Sequence, residues 1–529
     1  MLSLILKILL IASVFLSFWL FSRFTVDDAF ISWRYGKNLV DAGVWNYNPA
    51  VFDMTQAYTS PIYAMLSIIP NAISIDVVLF FKLFSLLILG IFLYWFSRKV
   101  SWGLVPILFF LALPATFVHL FSGLETFLFV AVLTALLIKL YENRFVSSIL
   151  LSLLLMTTRP EGWLLVLVVP LYFLISPLDQ AIASDHTRVS WKNLTKIPWD
   201  WRKGVGSFFL LIIPLVLYFL FHQLQFGSIL PNTFHIKSGH VFSLVRFVWL
   251  SLLISPILLL LMLTRKITLL VFVLCLLGGV IINYSTSALS MNYADRFFYH
   301  IFAPAFLFGI FLASQSRSNW DEISLQYLRD EKQVLAIRSR IPFFQNVLLV
   351  LLYALFGMKA TNTSELLHLS QYYPRALDSH AVLGKTLRDI ANDNQDIKSF
   401  SFGDAGMAAY HSELIALDNI GLGSSHIAKQ GVDTDLLDAY SLDFVVFHST
   451  PGGILNDYNQ QTVLDWSKAN GLDMVCEIYW REDYTLRVYA RDEYPRIKKI
   501  CKESTRNNVG GKEYFLKSVL THPWNFWHE

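Results

Sequence analysis

The chain has 529 residues, 55% of them hydrophobic and only 15% charged, with a net charge of +3. Soluble domains are nearer a quarter charged, so this composition describes an integral membrane protein. The small net charge, with no basic stretch interleaved with aromatics, no Walker-type glycine loop and no zinc-type Cys/His spacing, argues against nucleic acid, nucleoside triphosphates and a metal as partners or cofactors.

A bilayer crossing takes about 20 mostly apolar residues. In chain order such stretches lie near 4–22, 76–96, 102–120, 123–139, 145–158, 161–176, 207–222, 243–264, 267–285, 297–313 and 342–358. That predicts about eleven spans, several so short that one pair could be re-entrant. The apolar stretch 61–70 ends at Pro70 and reads as an interfacial helix. The first span lacks a small-residue cleavage site and reads as an uncleaved anchor. With the N-terminus inside, sixteen basic residues fall in inner loops, among them Arg188, Lys192, Lys196, Arg265, Arg329, Lys332, Arg338 and Arg340, and six in outer loops. Positive charge stays on the cytoplasmic side, so the N-terminus is predicted cytoplasmic and everything beyond about residue 360 periplasmic.

That orientation gathers five polar clusters on the outer face. They are Asp27-Asp28, Ser122-Gly123-Leu124-Glu125, Arg159-Pro160-Glu161-Gly162, Leu230-Pro231-Asn232-Thr233 with Lys237, and Asp295-Arg296. Asp27 and Asp28 open an amphipathic helix that also carries Arg34. They are read either as helix caps or as a general base with its orienting partner, the base taking a proton from an attacking hydroxyl. Glu125 and Glu161 have equally plain readings as helix-end charges or as a mate for Arg159. Together Arg159, Lys237 and Arg296 form an outward-facing basic set suited to a lipid-linked phosphate. His235 and His240 flank Lys237 without a further metal ligand.

From about residue 360 charge becomes frequent and apolar runs shorten. Residues 443–447 read as a buried strand and 484–489 as a half-exposed one, with helices near 379–391 and 461–470. Strands alternating with helices predict an α/β domain over 359–529, following a membrane domain over 1–358. Gly403-Asp404-Ala405-Gly406 reads as a tight turn, because the third glycine and downstream acid of a dinucleotide loop are missing. Cys275 reads as a core residue; Cys476 and Cys501 fit either a disulfide or two free thiols.

The blocks DDAFISWRYGKNLVDAG, WNYNP and YTSP (which contains Tyr58), SGLETFLF, TRPEG, LPNT plus a lysine, and GDAGMAAY ahead of LDNIGLG follow one another in order. In this order, over roughly residues 20–425, the chain resembles the mycobacterial terminal arabinofuranosyltransferases and their bacterial relatives, which are GT-C-type membrane glycosyltransferases. The resemblance implies a mainly α, polytopic GT-C-like domain with a C-terminal α/β soluble domain. It also implies a polyprenyl-phosphate sugar donor and a cell-envelope glycan or glycolipid acceptor at the outer face of a bacterial inner membrane. Asp27, with Asp28, would then be catalytic. Arg34, Tyr58, Glu125, Arg159, Glu161, Asn232, Lys237 and Arg296 would bind substrate. Gln56-Ala57 stand where relatives often carry Glu-Gly, so arabinose itself is not carried over. The rival expectation is a non-enzymatic transporter of lipid-linked precursors, which would need charges buried along a path through the membrane.

Overall fold

Hydrocarbon offers no hydrogen bonds to a backbone, so an apolar run that enters it must satisfy its own N–H and C=O groups by coiling. A computed structural model describes residues 2–50, 53–100, 105–179, 199–237, 241–264, 266–289, 292–327, 344–357, 363–404, 406–450, 453–454, 460–481 and 484–506. The inner-loop residues Arg188, Lys192, Lys196, Arg265, Arg329, Lys332, Arg338 and Arg340, and also His240, lie outside the described residues.

Every apolar stretch named above is helical where it is described. Among the described residues seven helices are long and apolar enough to cross a bilayer: Leu4–Phe21, Val77–Ser97, Pro160–Asp179, Trp201–Phe226, Leu244–Met262, Ile267–Thr286 and Tyr293–Gln315. Pro114–Phe121 and Thr126–Tyr141 are long and apolar enough only as a pair, and they meet at 111°, the geometry of a broken span or a re-entrant loop. Phe145–Thr158 and Phe344–Gly357 are shorter apolar helices. The expected spans near 102–120 and 123–139 are therefore three helical pieces. Pro114 starts a new helix where its missing N–H costs nothing, and Gly123 takes a left-handed turn (φ 81°). A Cβ at Gly123 would lie 2.8 Å from the Trp33 indole, which holds this corner to the helix Asp27–Ala42.

Outward faces are as apolar as inward ones. Leu79, Leu83, Leu87 and Ile91 form an exposed stripe at helical spacing, the surface lipid would cover. The helix through Tyr293–Gln315 is buried along its length and forms the centre of the bundle. Cys275 is exposed on Ile267–Thr286 and is not the core residue expected; with lipid as solvent, an apolar context does not imply an inward side chain.

Beyond the bundle lies a six-stranded sheet: β1 (Ser399–Ser401), β2 (Ile415–Leu417), β3 (Phe444–Thr450), β4 (Gly453–Ile454), β5 (Asp473–Arg481) and β6 (Tyr484–Ala490). Its order is β2-β1-β3-β6-β5, with β4 paired to β3. β1 runs parallel to β2 and β3, and β6 antiparallel to β3 and β5. The strands read at 443–447 and 484–489 are β3 and β6, and the helices read near 379–391 and 461–470 lie in Thr363–Asp393 and Gln460–Ala469. The inner core of this region is not its own. Ile31, Tyr35, Tyr47, Tyr58 and Phe226 pack into one buried cluster with Leu383, Leu387, Phe400, Phe402 and Ala408. Of the two readings for the remaining cysteines, the structure has the disulfide, Cys476–Cys501, tying β5 to the helix Pro495–Arg506.

Denatured without reductant, the protein should take up one maleimide, at Cys275; after reduction, all three cysteines should label. Mass spectrometry of the labelled chain checks this, and three labels before reduction would show the pair to be open.

Candidate active site

The helix Asp27–Ala42 begins after extended Val26, and no side chain caps it. Neither acid therefore plays the plain capping role for its own helix. Asp27 reaches across the chain instead. Its Oδ2 accepts the N–H of Gly406 (2.8 Å) and its Oδ1 the N–H of Met407 (2.7 Å). A Cβ at Gly406 would collide with Asp27, so this approach requires the glycine. Burial, then the charge of Asp404, pushes the Asp27 carboxyl up to about 6, against His380 and the Met407 N–H. Asp404 itself accepts a hydrogen bond from His380 Nε2 (2.8 Å) and lies 2.9 Å from His448 Nε2. Although burial opposes it, the two imidazoles hold the Asp404 carboxyl well below the usual range.

Arg34, about two turns further along the helix, is buried. Its donors go to the carbonyls of Tyr47 (2.6 Å), Leu414 (2.5 Å) and Ala409, and to Asn48 Oδ1 (3.3 Å). Tyr58 is buried edge-on against Tyr35 and accepts from Trp45 Nε1 (3.2 Å). Asn232 donates its backbone N–H to Gln56 and its amide to the Gly421 carbonyl. These residues stitch the segment after the first helix to the C-terminal region.

A second group surrounds a cleft of about 220 Å³, lined by Thr59, Arg159, Glu161, Lys237, Tyr284 and Arg296 among others. Pro160 forces Arg159 into extended backbone (φ −152°), which ends the helix Phe145–Thr158 and turns the side chain inward. Arg159 forks onto both oxygens of Glu161 (3.1 and 3.0 Å) and gives its remaining arm to Glu125 (2.7 Å). Arg296 touches Glu125 at 3.5 Å, and its buried Nε has no acceptor. Lys237 has no ion-pair partner among the described residues. Burial lowers its pKa, and of the acids nearby Asp28 does most to favour its charged form. Arg159 and Arg296 are thus matched by Glu125 and Glu161, while Lys237 has only the more distant charge of Asp28 to favour its ionised form.

The backbone before Arg296 is strained. Ala294 (φ 47°) and Asp295 (φ 51°) both take left-handed conformations without being glycine, at a cost of order 1–3 kcal/mol each. Glu365 accepts the Ala294 N–H (2.7 Å) and His119 Nε2 sits 3.1 Å from its carbonyl, which holds the turn.

The structure thus sorts the expected residues into two sets. Arg159, Glu161, Lys237 and Arg296 line the cleft, Glu125 braces it, and half-buried Asp28 acts on it electrostatically. Asp27, Arg34, Tyr58 and Asn232 belong to the seam with the C-terminal region. Asp404, His380, His448 and Glu365 were not singled out. Only the acid inside the Gly403–Gly406 turn gave a signal, and it read as turn chemistry. Among the described residues no group of three or more His, Cys, Asp or Glu side chains is arranged to hold a metal ion.

Arg159→Ala should strand Glu161 as a buried, unpaired charge and leave Glu125 only its loose contact with Arg296, a loss of about 3–5 kcal/mol. A melting curve in detergent should show a large drop that Glu161→Gln in the same chain partly restores.

No family model matches the chain, and no curated protein matches it in sequence. Among solved structures, ArnT from Cupriavidus metallidurans in the apo state is 14% identical, covering 93% of this chain and 98% of that one, with a TM-score of 0.50. The same protein bound to undecaprenyl phosphate is 13% identical at equal coverage, with a TM-score of 0.49. At such identity the likeness is one of fold: this chain has an ArnT-like GT-C membrane fold with a small C-terminal sheet.

Proposed function

We propose that the protein is an inverting membrane glycosyltransferase. A polyprenyl-phosphate sugar enters the cleft from the bilayer, and the sugar passes to a hydroxyl of an envelope glycan or glycolipid at the periplasmic face of a bacterial inner membrane. The membrane domain would span 1–358 and the periplasmic α/β domain 359–529. The observation that carries this reading is Lys237, a half-buried cleft lysine with no ion-pair partner among the described residues, set beside Arg159 and Arg296. An anion is the partner such a lysine lacks.

In this reading the donor phosphate meets Lys237 and the free Nε of Arg296. Arg159, already saturated by two glutamates, fixes the wall and contributes field rather than a new contact. The acceptor oxygen attacks the anomeric carbon on the face opposite the phosphate. It loses its proton to a carboxylate as the carbon–oxygen bond to phosphate breaks. The lipid phosphate leaves with its charge stabilised by the same cations. Asp28 is the better base. Both oxygens of Asp27 are committed to backbone N–H groups, whereas Asp28 is half-buried and faces Lys237 electrostatically. This exchanges the roles that the resemblance implies.

The transporter reading needs ionisable groups along a path through the bundle. Lys82, the lysine within Val77–Ser97, instead donates to the carbonyl of Ser22 (2.7 Å), just past the end of the first helix. The enzyme reading is therefore preferred.

Lys237→Ala should raise KM for the lipid-linked sugar about tenfold or more, the worth of one charge-assisted contact. Steady-state kinetics with varied donor checks this; an unchanged KM would remove the phosphate from that position. Asp28→Asn keeps shape but cannot take a proton, so kcat should fall ~10²–10⁴-fold with protein level and donor binding intact. Turnover near that of the unaltered protein would sink the assignment.

A further inference from the structure

The α/β region brings its own polar cluster to the acid pair. From β1 the chain goes to β2 on one side and then crosses to β3 on the other. Where strand order reverses like this, the carboxyl ends of the strands open a crevice that commonly serves as the binding place of such sheets. Here Asp404 follows β1, Asp418 and Asn419 follow β2, and His448 lies on β3. His380 arrives from the helix Thr363–Asp393, and its ring and that of His448 flank Phe402 at 5.3 and 5.0 Å. What occupies the crevice is Asp27, from the segment after the first helix, 379 residues before Gly406.

We propose that Asp404, clasped by His380 and His448, is a positioning residue for Asp27: it fixes the turn whose Gly406 and Met407 N–H groups anchor the Asp27 carboxylate, and its own carboxylate faces Asp27 across that turn. The inference rests on the glycosyltransferase reading for its catalytic meaning but not for its physical coupling. The charges that face Asp27 come from every element around it: Asp28 on its own helix, Asp404 on the turn, His380 on the long helix, and the Tyr47 phenol. Asp404 in turn faces His380 and His448. Two carboxylates share this buried place, so ionising both is costly unless an imidazolium compensates. Removing Asp404's charge makes it easier for Asp27 to ionise. Removing the His380 imidazole makes it harder.

The test uses the full chain in lipid nanodiscs, with kcat/KM for a polyprenyl-phosphate sugar measured against pH. Asp404→Asn keeps the hydrogen bonds but drops the charge, so the acid limb should move to lower pH by on the order of one unit. His380→Gln should move it to higher pH, because His380 is the imidazole that favours the ionised form of Asp27. Both should keep the donor KM and a plateau within a few-fold of the unaltered protein. Two unmoved acid limbs, or limbs that move the same way, would overturn the proposal. A second measurement needs no substrate. In a double-mutant cycle on melting temperature at pH 7, Asp27→Asn and Asp404→Asn should be non-additive; additivity would overturn the coupling. If no donor supports transfer while the cycle is non-additive, the enzyme reading fails and the coupling stands.

Discussion

A buried arginine with no carboxylate beside it organises everything outside the bundle. Arg34 is 1% exposed, and main-chain carbonyls from the loop after its helix and from the C-terminal region serve as its solvent. Removing a guanidinium from water is tolerable only when its donors are met, so the segment after the first helix and the C-terminal region must be in contact before that helix can sit where it does. The Asp27 carboxylate repeats the arrangement with opposite sign, taking N–H groups where Arg34 takes C=O. A cation and an anion that bind backbone rather than each other make this seam a matter of fold rather than of ion pairing. Salt should screen it less than it screens a surface pair.

The cleft follows a different rule. Its two arginines are matched by two glutamates, and the lysine beside them has no ion-pair partner among the described residues. Glu125 is shared between two arginines, tightly at 2.7 Å and loosely at 3.5 Å, and Lys237 is outside the arrangement. A site whose cations were all paired would hold its shape but have nothing to offer an anion. The strained turn at Ala294 and Asp295 belongs to this picture, since it lets Arg296 open a membrane helix while its charged end stays at the cleft.

Much of the fold was legible because lipid is a uniform solvent: a run of apolar residues long enough to cross it becomes a helix. What was not legible was where such a run breaks, as at Pro114 and Gly123, or which way Cys275 faces, because lipid and protein interior select the same side chains. Site legibility followed a similar line. Arg159, Glu161, Lys237 and Arg296 were readable as candidates because charge at a membrane surface is conspicuous, and the structure brings them together around one cleft. The division of labour between Asp27 and Asp28 was not. Neighbours on a helix point roughly 100° apart, so one faces the cleft's charges and the other the distant turn, and only tertiary contact decides which. The His380–Asp404–His448 cluster is assembled from three separate elements with no local spacing to betray it.

The Asp27–Gly406 contact also has a history in time. Its partners are 379 residues apart, and the Arg34–Leu414 contact spans 380. At ribosomal rates of 5–20 residues per second, the segment after the first helix emerges roughly 20–75 s before the backbone that will receive it. Through that interval its charged groups remain in water and the aromatic face of its helix lacks its cover, while later spans are still being threaded. The seam therefore cannot close until about four-fifths of the chain has been made, and during synthesis the loop after the first helix waits without its cover.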